Sequence, residues 1–164
     1  MENLLNKEPV KRVQEFIKKF NPEMKILVLD TTARTANDAA NSLKCEVGAI
    51  VKSLLFKAEE NFLICLIAGD RRCSLNKLKK ILQKKDVSMA NASEVKKNTG
   101  FSIGGVAPVA HIINLNILVD SSLNRFRYVY AAAGHPNCVF KITYNELIKI
   151  TKGVEKEISE WEKQ

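Results

Sequence analysis

Ala49-Ile50-Val51-Lys52-Ser53-Leu54-Leu55-Phe56-Lys57-Ala58, then Glu59-Glu60-Asn61, then Phe62-Leu63-Ile64-Cys65-Leu66-Ile67-Ala68 is the stretch that decides the fold class. Two runs rich in β-formers, joined by a short polar step, read as the arms of a hairpin. The period of two puts Ile50, Lys52, Leu54 and Phe56 on one face. A lysine on an apolar face is costly to bury unless an anionic or polar group meets its ammonium. The alternative is an edge-strand lysine whose stem packs while its head reaches water.

Working outward, Val10, Val13, Phe16, Ile17 and Phe20 recur at helical spacing, and Asn21-Pro22 ends the run. Met24 to Leu29 reads as a short strand ending at Asp30-Thr31-Thr32. A helix follows from Thr35, with Thr35 and Asp38 in capping-box positions and a small-residue face of Ala36, Ala39, Ala40 and Leu43. Beyond the hairpin, Leu75 to Lys84 is a basic amphipathic helix capped by Ser74. Val87-Ser88-Met89 is a short strand, and Ser93 to Asn98 a short helix. Further strands are expected at Ile112 to Val119, Arg127 to Ala133 and Val139 to Ile142, with Gly134-His135-Pro136-Asn137 as a turn. Thr143 and Glu146 form a capping box for another helix, and Lys152 to Gln164 reads as a weakly amphipathic tail helix. Hairpins outnumber β-α-β units, so the expected class is α+β with a mixed, largely antiparallel sheet.

The 164 residues are expected to form a single domain, and 46% apolar with 27% charged residues is an ordinary globular balance. The N-terminus carries no signal-peptide pattern and no apolar run is long enough to span a bilayer, so a cytoplasmic protein without membrane association is expected. Cys45, Cys65, Cys73 and Cys138 form no C-x-x-C pair, and with only His111 and His135 beside them neither a zinc site nor a catalytic thiol is indicated. Of the net charge of +8, a share of +6 lies between Asp70 and Lys97, where nine basic residues face three acidic ones. Such concentration suits a polyanion such as a nucleic acid backbone, although a solvated lysine-rich helix face has the same composition.

Thr99-Gly100-Phe101-Ser102-Ile103-Gly104-Gly105-Val106-Ala107-Pro108 holds three of the seven glycines of the chain. A glycine pair closed by proline suits a loop that presents bare N–H groups to a carbonyl oxygen or a phosphate. No Gly-Lys-Ser/Thr follows Gly105, which excludes the Walker pattern, and no G-x-S-x-G elbow exists. His135, between Gly134 and Pro136, could bind substrate or shuttle a proton, or serve as a plain turn residue. His111 reads as structural or solvent-facing.

Together, Lys52, the stretch Gly104 to Pro108 and Gly134-His135-Pro136 resemble the YbaK/ProX-type aminoacyl-tRNA editing domains, relatives of the editing insertion of bacterial prolyl-tRNA synthetases. The resemblance runs from Thr35 to Thr151 and includes Thr35-Ala36-x-Asp38-Ala39-Ala40, Ile50-Val51-Lys52-Ser53-Leu54, Gly69-Asp70, Thr99-Gly100-Phe101 and Asp120-x-x-Leu123. It implies a mixed sheet partly curled into a barrel with flanking helices. It further implies a freestanding hydrolase that cleaves the ester between a wrong amino acid and the 3′ end of a tRNA, prolyl-tRNA or a similar one, without cofactor or metal. Lys52, Gly104, Gly105 and His135 would be the catalytic set, with Val106, Ala107, Pro108, Gly134 and Pro136 binding the substrate. Arg71, Arg72, Lys79, Lys80, Lys84 and Lys85 would lie along the tRNA backbone, and an aminoacyl-tRNA synthetase is a further expected partner. The Gly134-His135-Pro136 turn departs from the subgroup that removes cysteine, which leaves alanine, serine or threonine as the expected amino acid.

An aminoacyl ester is already activated, so positioning a water or a ribose hydroxyl and holding the developing oxyanion could suffice without a triad. Two other classes fit less of the chain. A non-catalytic module of the same fold would hold tRNA or a synthetase without needing Lys52, Gly104, Pro108 and His135 together. A small-molecule hydrolase would leave the basic segment incidental.

Overall fold

The computed structural model describes residues 3–30 and 35–162. Five α-helices and ten strands alternate along them: α1 (Glu8–Phe20), β1 (Ile26–Val28), α2 (Ala36–Leu43), β2 (Ile50–Ala58), β3 (Asn61–Ala68), β4 (Arg71–Cys73), α3 (Leu75–Leu82), β5 (Val87–Met89), α4 (Ala92–Thr99), β6 (Asn116–Asp120), β7 (Tyr128–His135), β8 (Cys138–Thr143), α5 (Tyr144–Thr151), β9 (Val154–Lys156) and β10 (Ser159–Trp161). The main sheet runs β1-β8-β7-β2-β3-β6-β9, with β5 also paired to β2, and β4 pairs with β10 in a small second sheet. The sheet is mixed and curled, in an α+β arrangement. β2–β7, β3–β6 and β6–β9 are parallel and the other pairs antiparallel.

The β2–β3 hairpin closes on Ala58 and Asn61, with Glu59 in the left-handed region at φ 55°. β3 is apolar from Phe62 onward because both faces of its Leu63–Ala68 run are covered. Ile64, Leu66 and Ala68 join Val10, Val13 and Ile17 of α1 in one core, and Leu63, Cys65 and Ile67 pack with Leu78 of α3 in another. A third cluster seats Ala39 and Ala40 of α2 on Ile50 and Val139, where only small residues let the helix approach. Caps follow the sequence pattern: Thr35 Oγ1 accepts from the Asp38 amide, Ser74 from that of Lys77, and Thr143 with Glu146 completes a capping box.

Three expectations need correction. The segment after α5 is not a helix. Lys152, left-handed at φ 56°, and Gly153 stop α5, after which Val154–Lys156 adds to the free edge of β6 and Ser159–Trp161 pairs with β4. Local amphipathicity there is weak, and long-range partners decide: Ile158 is fully buried, and the buried Asp120 accepts from the Ile158 amide at 2.8 Å and from Ser159 Oγ at 2.7 Å. The strand expected from Ile112 begins only at Asn116, because Ala110 turns the chain at φ 63° and leaves Ile112 and Ile113 exposed. Gly134 and His135 belong to β7, and the turn itself is Pro136 and Asn137. Thr31 and Thr32, where the first strand was to end, and Lys163 and Gln164 of the expected tail helix lie outside the described residues.

Candidate functional site

The site is a gap in the sheet. β2 pairs with β7 only at Ile50 and Val51, and β5 joins β2 only from Phe56 onward. Ile50 O accepts from Gly69 at the β3 side, whereas Leu55 O accepts from Ala90 on the other side. Strand alternation therefore turns the peptide N–H and C=O of Ser53 away from β3 and into the gap. No strand among the described residues pairs with them there. The Ser53 hydroxyl is also buried without a hydrogen-bond partner among the described residues. Native interiors rarely leave such a group unpaired, which makes Ser53 a candidate binding position.

The gap opens as a cavity of about 280 Å³. Its walls are Ala36 and Ala39 of α2, Ile50 to Leu54 of β2, Tyr130 and Ala132 of β7, Val139 of β8, with Thr35, Gly104, Val106 and Pro136 closing it. Of the residues expected from sequence, Lys52, Gly104, Val106 and Pro136 line this cavity together. Gly105, Ala107, Gly134 and His135 do not line it, and Pro108 lines a separate cavity with Phe16 and His111. Gly105 lies so close to the backbone of Gly134 and His135 that a Cβ would meet the His135 nitrogen at 2.9 Å. Gly134, at φ 91°, packs on α1, where a Cβ would meet the Pro9 carbonyl carbon at 2.7 Å. That glycine answers to helix packing rather than to the cavity. The Asn137 amide donates to His135 Nδ1 at 3.1 Å, so the neutral ring carries its proton on Nε2.

The Lys52 ammonium leaves the sheet face towards β4 and β10. It donates to the Arg71 carbonyl at 2.5 Å and lies 3.6 Å from the half-exposed Glu162 carboxylate. The lysine on an apolar face thus meets both a carbonyl and an anion. With three N–H donors it keeps capacity for a further acceptor.

The glycine loop is held from below. Thr99 Oγ1, fully buried, donates to Val95 O at 2.7 Å and accepts the Phe101 amide at 3.0 Å. The Arg12 guanidinium lies 4.5 Å above the Phe101 ring and donates to Ala110 O at 2.8 Å. His111 donates Nε2–H to Ala107 O at 2.7 Å, and burial pushes its pKa below the ordinary histidine value. The expectation that His111 is structural agrees with this placement. Within the loop the Gly105 amide is spent on Ser102 O, but among the described residues the amides of Gly104, Val106 and Ala107 make no hydrogen bond.

The basic segment is partly neutralised. Arg72 pairs with Glu160 at 2.8 Å, Lys84 with Glu59 at 3.6 Å, and Arg71 donates to Ser159 Oγ at 2.6 Å. Lys79, Lys80 and Lys85 have no ion-pair partner among the described residues. Lys84 also lines a separate cavity of about 630 Å³ between β3, β6 and β9. Burial raises the thiol pKa of Cys138 and Cys45, and a hydrogen bond to Cys73 followed by burial raises that of Cys65, so these thiols hold their protons at neutral pH.

Residues 30–150 match the model of the aminoacyl-tRNA editing domain. The chain belongs to that family. This editing-domain protein is 30% identical over 139 residues to the uncharacterized protein YwhH of Bacillus subtilis, covering 84% of this chain and 88% of that one. It is 26% identical over 145 residues to the proline–tRNA ligase of Caldicellulosiruptor bescii, covering 88% of this chain but only 24% of the ligase. In structure it superposes with a TM-score of 0.89 and 34% identity on a candidate trans-editing enzyme for prolyl tRNA synthetase, over 94% of this chain and 98% of that one. No helix among the described residues is long and apolar enough to cross a membrane.

Ser53, Tyr130 and Arg12 are the positions that sequence reasoning missed. The Lys52-Ser53 pair was a usable signal, since the period of two already put Ser53 on the face opposite the lysine.

Proposed function

We propose that this editing domain acts in trans as a deacylase, hydrolysing the ester of a tRNA that carries a small wrong amino acid, on prolyl-tRNA or a similar species. The observation that carries the reading is the cavity at the β2–β7 gap, which gathers Lys52, Ser53, Gly104, Val106 and Pro136 around about 280 Å³. That volume and its apolar walls suit an alanyl, seryl or threonyl group. Family membership and the near-complete overlap with a candidate trans-editing enzyme support the same class.

The chemistry follows from the donors. The aminoacyl carbonyl faces the loop, where the unspent amides of the lining residues Gly104 and Val106 receive the oxyanion that forms on attack. Each well-placed donor of this kind is worth roughly 10²–10³ in rate. The attacking oxygen belongs to a water, positioned with the help of the neighbouring ribose hydroxyl; the bond to the ester oxygen breaks, and that oxygen leaves on the tRNA end with the water's proton. Lys52 holds the terminal nucleotide, drawn off Glu162. The peptide groups and hydroxyl of Ser53 fix the amino acid, while Gly105 and His135 set the position of the loop against the turn. Lys79, Lys80, Lys84 and Lys85, with Arg71 and Arg72 nearer the cavity, lie along the acceptor backbone. A synthetase is engaged through the same tRNA. The need for such an enzyme is physical: one methylene gives a synthetase only about 1–3 kcal/mol of discrimination.

The test is release of amino acid from alanyl-, seryl-, threonyl- and cysteinyl-tRNA, with Lys52→Ala beside the native protein. Release from at least one small-residue species, lost in Lys52→Ala, is expected. Binding of tRNA without hydrolysis of any species would replace the enzyme by a binding module.

A further inference from the structure

We propose that Trp161 is a stacking platform for an unpaired base of the substrate, next to the cavity that takes the acylated end. The inference rests on the tRNA reading above and adds to it a base-binding contact from a strand outside the matched residues 30–150.

Trp161 is the only tryptophan of the chain and stays 61% exposed. A lone large ring left open at the surface is not needed to hold β10 in place. Ile158, fully buried, and the Asp120 contacts to Ile158 and Ser159 already anchor that strand. The indole is instead set among fixed cations. The Arg71 guanidinium lies 4.3 Å from its ring centre and that of Arg125 5.3 Å. Neither arginine is loose: Arg71 donates to Ser159 Oγ and O, and Arg125 makes a two-bond fork to Asp70 at 2.9 and 2.8 Å. Arg125 also covers Phe126 at 4.9 Å, so aromatic and guanidinium planes alternate along this surface.

Such alternation is how proteins hold single-stranded nucleic acid, with rings for the bases and cations for the phosphates between them. Position ties the surface to the cavity. Trp161 is the strand partner of Arg71, whose carbonyl receives the Lys52 ammonium, and the next residue, Glu162, supplies the carboxylate beside that ammonium. A nucleotide chain that approaches Lys52 along the β4–β10 edge passes the indole on the way.

The experiment uses the full chain and follows the fluorescence of its single tryptophan. The probes are an RNA hairpin with an unpaired 3′ cytidine-cytidine-adenosine end and the same hairpin made blunt. Saturable quenching by the overhanging hairpin, and little by the blunt one, is expected. By separation-based binding, Trp161→Ala should weaken the overhang complex by about 5- to 150-fold, the range of one base–aromatic stack, and Trp161→Phe should restore most of it. Binding of the overhang without quenching, or equal binding by native protein and Trp161→Ala, would overturn the platform. If deacylation dependent on Lys52 persists in that case, the proposed function stands and only the platform falls. Failure of any tRNA to bind or be hydrolysed would remove both.

Discussion

Gly105→Ala separates the loop's alignment from its stability. The added Cβ would stand 2.9 Å from the His135 nitrogen and 3.0 Å from both the Gly134 carbonyl carbon and the His135 Cα, where ordinary contact begins at 3.4 Å. All three are backbone atoms of β7, so no side-chain rotation relieves the clash. Gly105 is not among the positive-φ glycines, so alanine adds no dihedral strain. The loop must therefore retreat from the turn by about half an ångström, an overpacking cost of about 1–3 kcal/mol. For a chain of this size each kilocalorie lowers Tm by roughly 2–4 °C, and a typical domain stays folded at 25 °C after such a loss. A misplacement near 1 Å costs on the order of a hundredfold in rate, so half of it should cost about tenfold. The assay pairs thermal unfolding by circular dichroism with deacylation of the best mischarged tRNA at 25 °C. Gly153→Ala is the control: its Cβ meets Val119 and Thr151 side chains at 2.7 and 2.9 Å, away from the cavity. Equal loss of activity in the two variants at matched loss of Tm would refute the role of the 104–107 backbone.

Ser53→Ala removes a buried hydroxyl that has no partner, so Tm should rise by a few degrees while kcat/KM falls; a lower Tm would show that the hydroxyl is satisfied in the free protein. Asp120→Asn keeps the shape but replaces an acceptor of the Ile158 amide and the Ser159 hydroxyl. A loss of about 2–3 kcal/mol, read by urea unfolding together with a red-shifted tryptophan spectrum as β10 loosens, is expected, and an unmoved spectrum would contradict the clamp. Burial holds the His111 pKa below its unfolded value, so the unfolded chain takes up the proton first and stability declines as pH falls below about 6.5. His111→Phe should flatten that decline, and an unchanged slope would place the titration elsewhere. Neutralising Lys79, Lys80, Lys84 and Lys85 to glutamine should weaken tRNA binding and lower its salt dependence, and an unaltered slope would clear these lysines of backbone contact.

How much was legible depended on the range of the interaction. Thr143 with Glu146, Ser74 and the β2–β3 hairpin are local, and their residues alone specify them. Lys52 was legible as an anomaly, because a charge on an alternating apolar face needs an explanation wherever the strand lies. What eluded sequence reasoning was set by partners distant along the chain. Val154 to Trp161 has little local preference, and its conformation is chosen by the open edge of β6 and by Asp120. The tertiary contact that overrides a weak amphipathic pattern cannot be seen from the pattern. The cavity was illegible for a similar reason, since it is made by the absence of pairing between β2 and β7 after Val51.

That absence also explains the division of labour at the site. The residues around the loop mostly hold geometry: Thr99 and Phe101 seat it, Arg12 and His111 tie it down, and Gly134 lets α1 approach. Among the described residues, the groups left unpaired at the cavity are largely on the backbone: the N–H of Gly104 and Val106 and the N–H and C=O of Ser53. A fold that leaves its donors on the backbone gains pre-aligned dipoles that cost no reorganisation when charge develops. It also becomes sensitive to backbone displacement more than to the identity of most lining side chains. Substitutions at Ala36, Ala39 or Ala132 that preserve the strand and helix positions should therefore alter which amino acid fits, whereas those that shift the loop should slow every substrate alike.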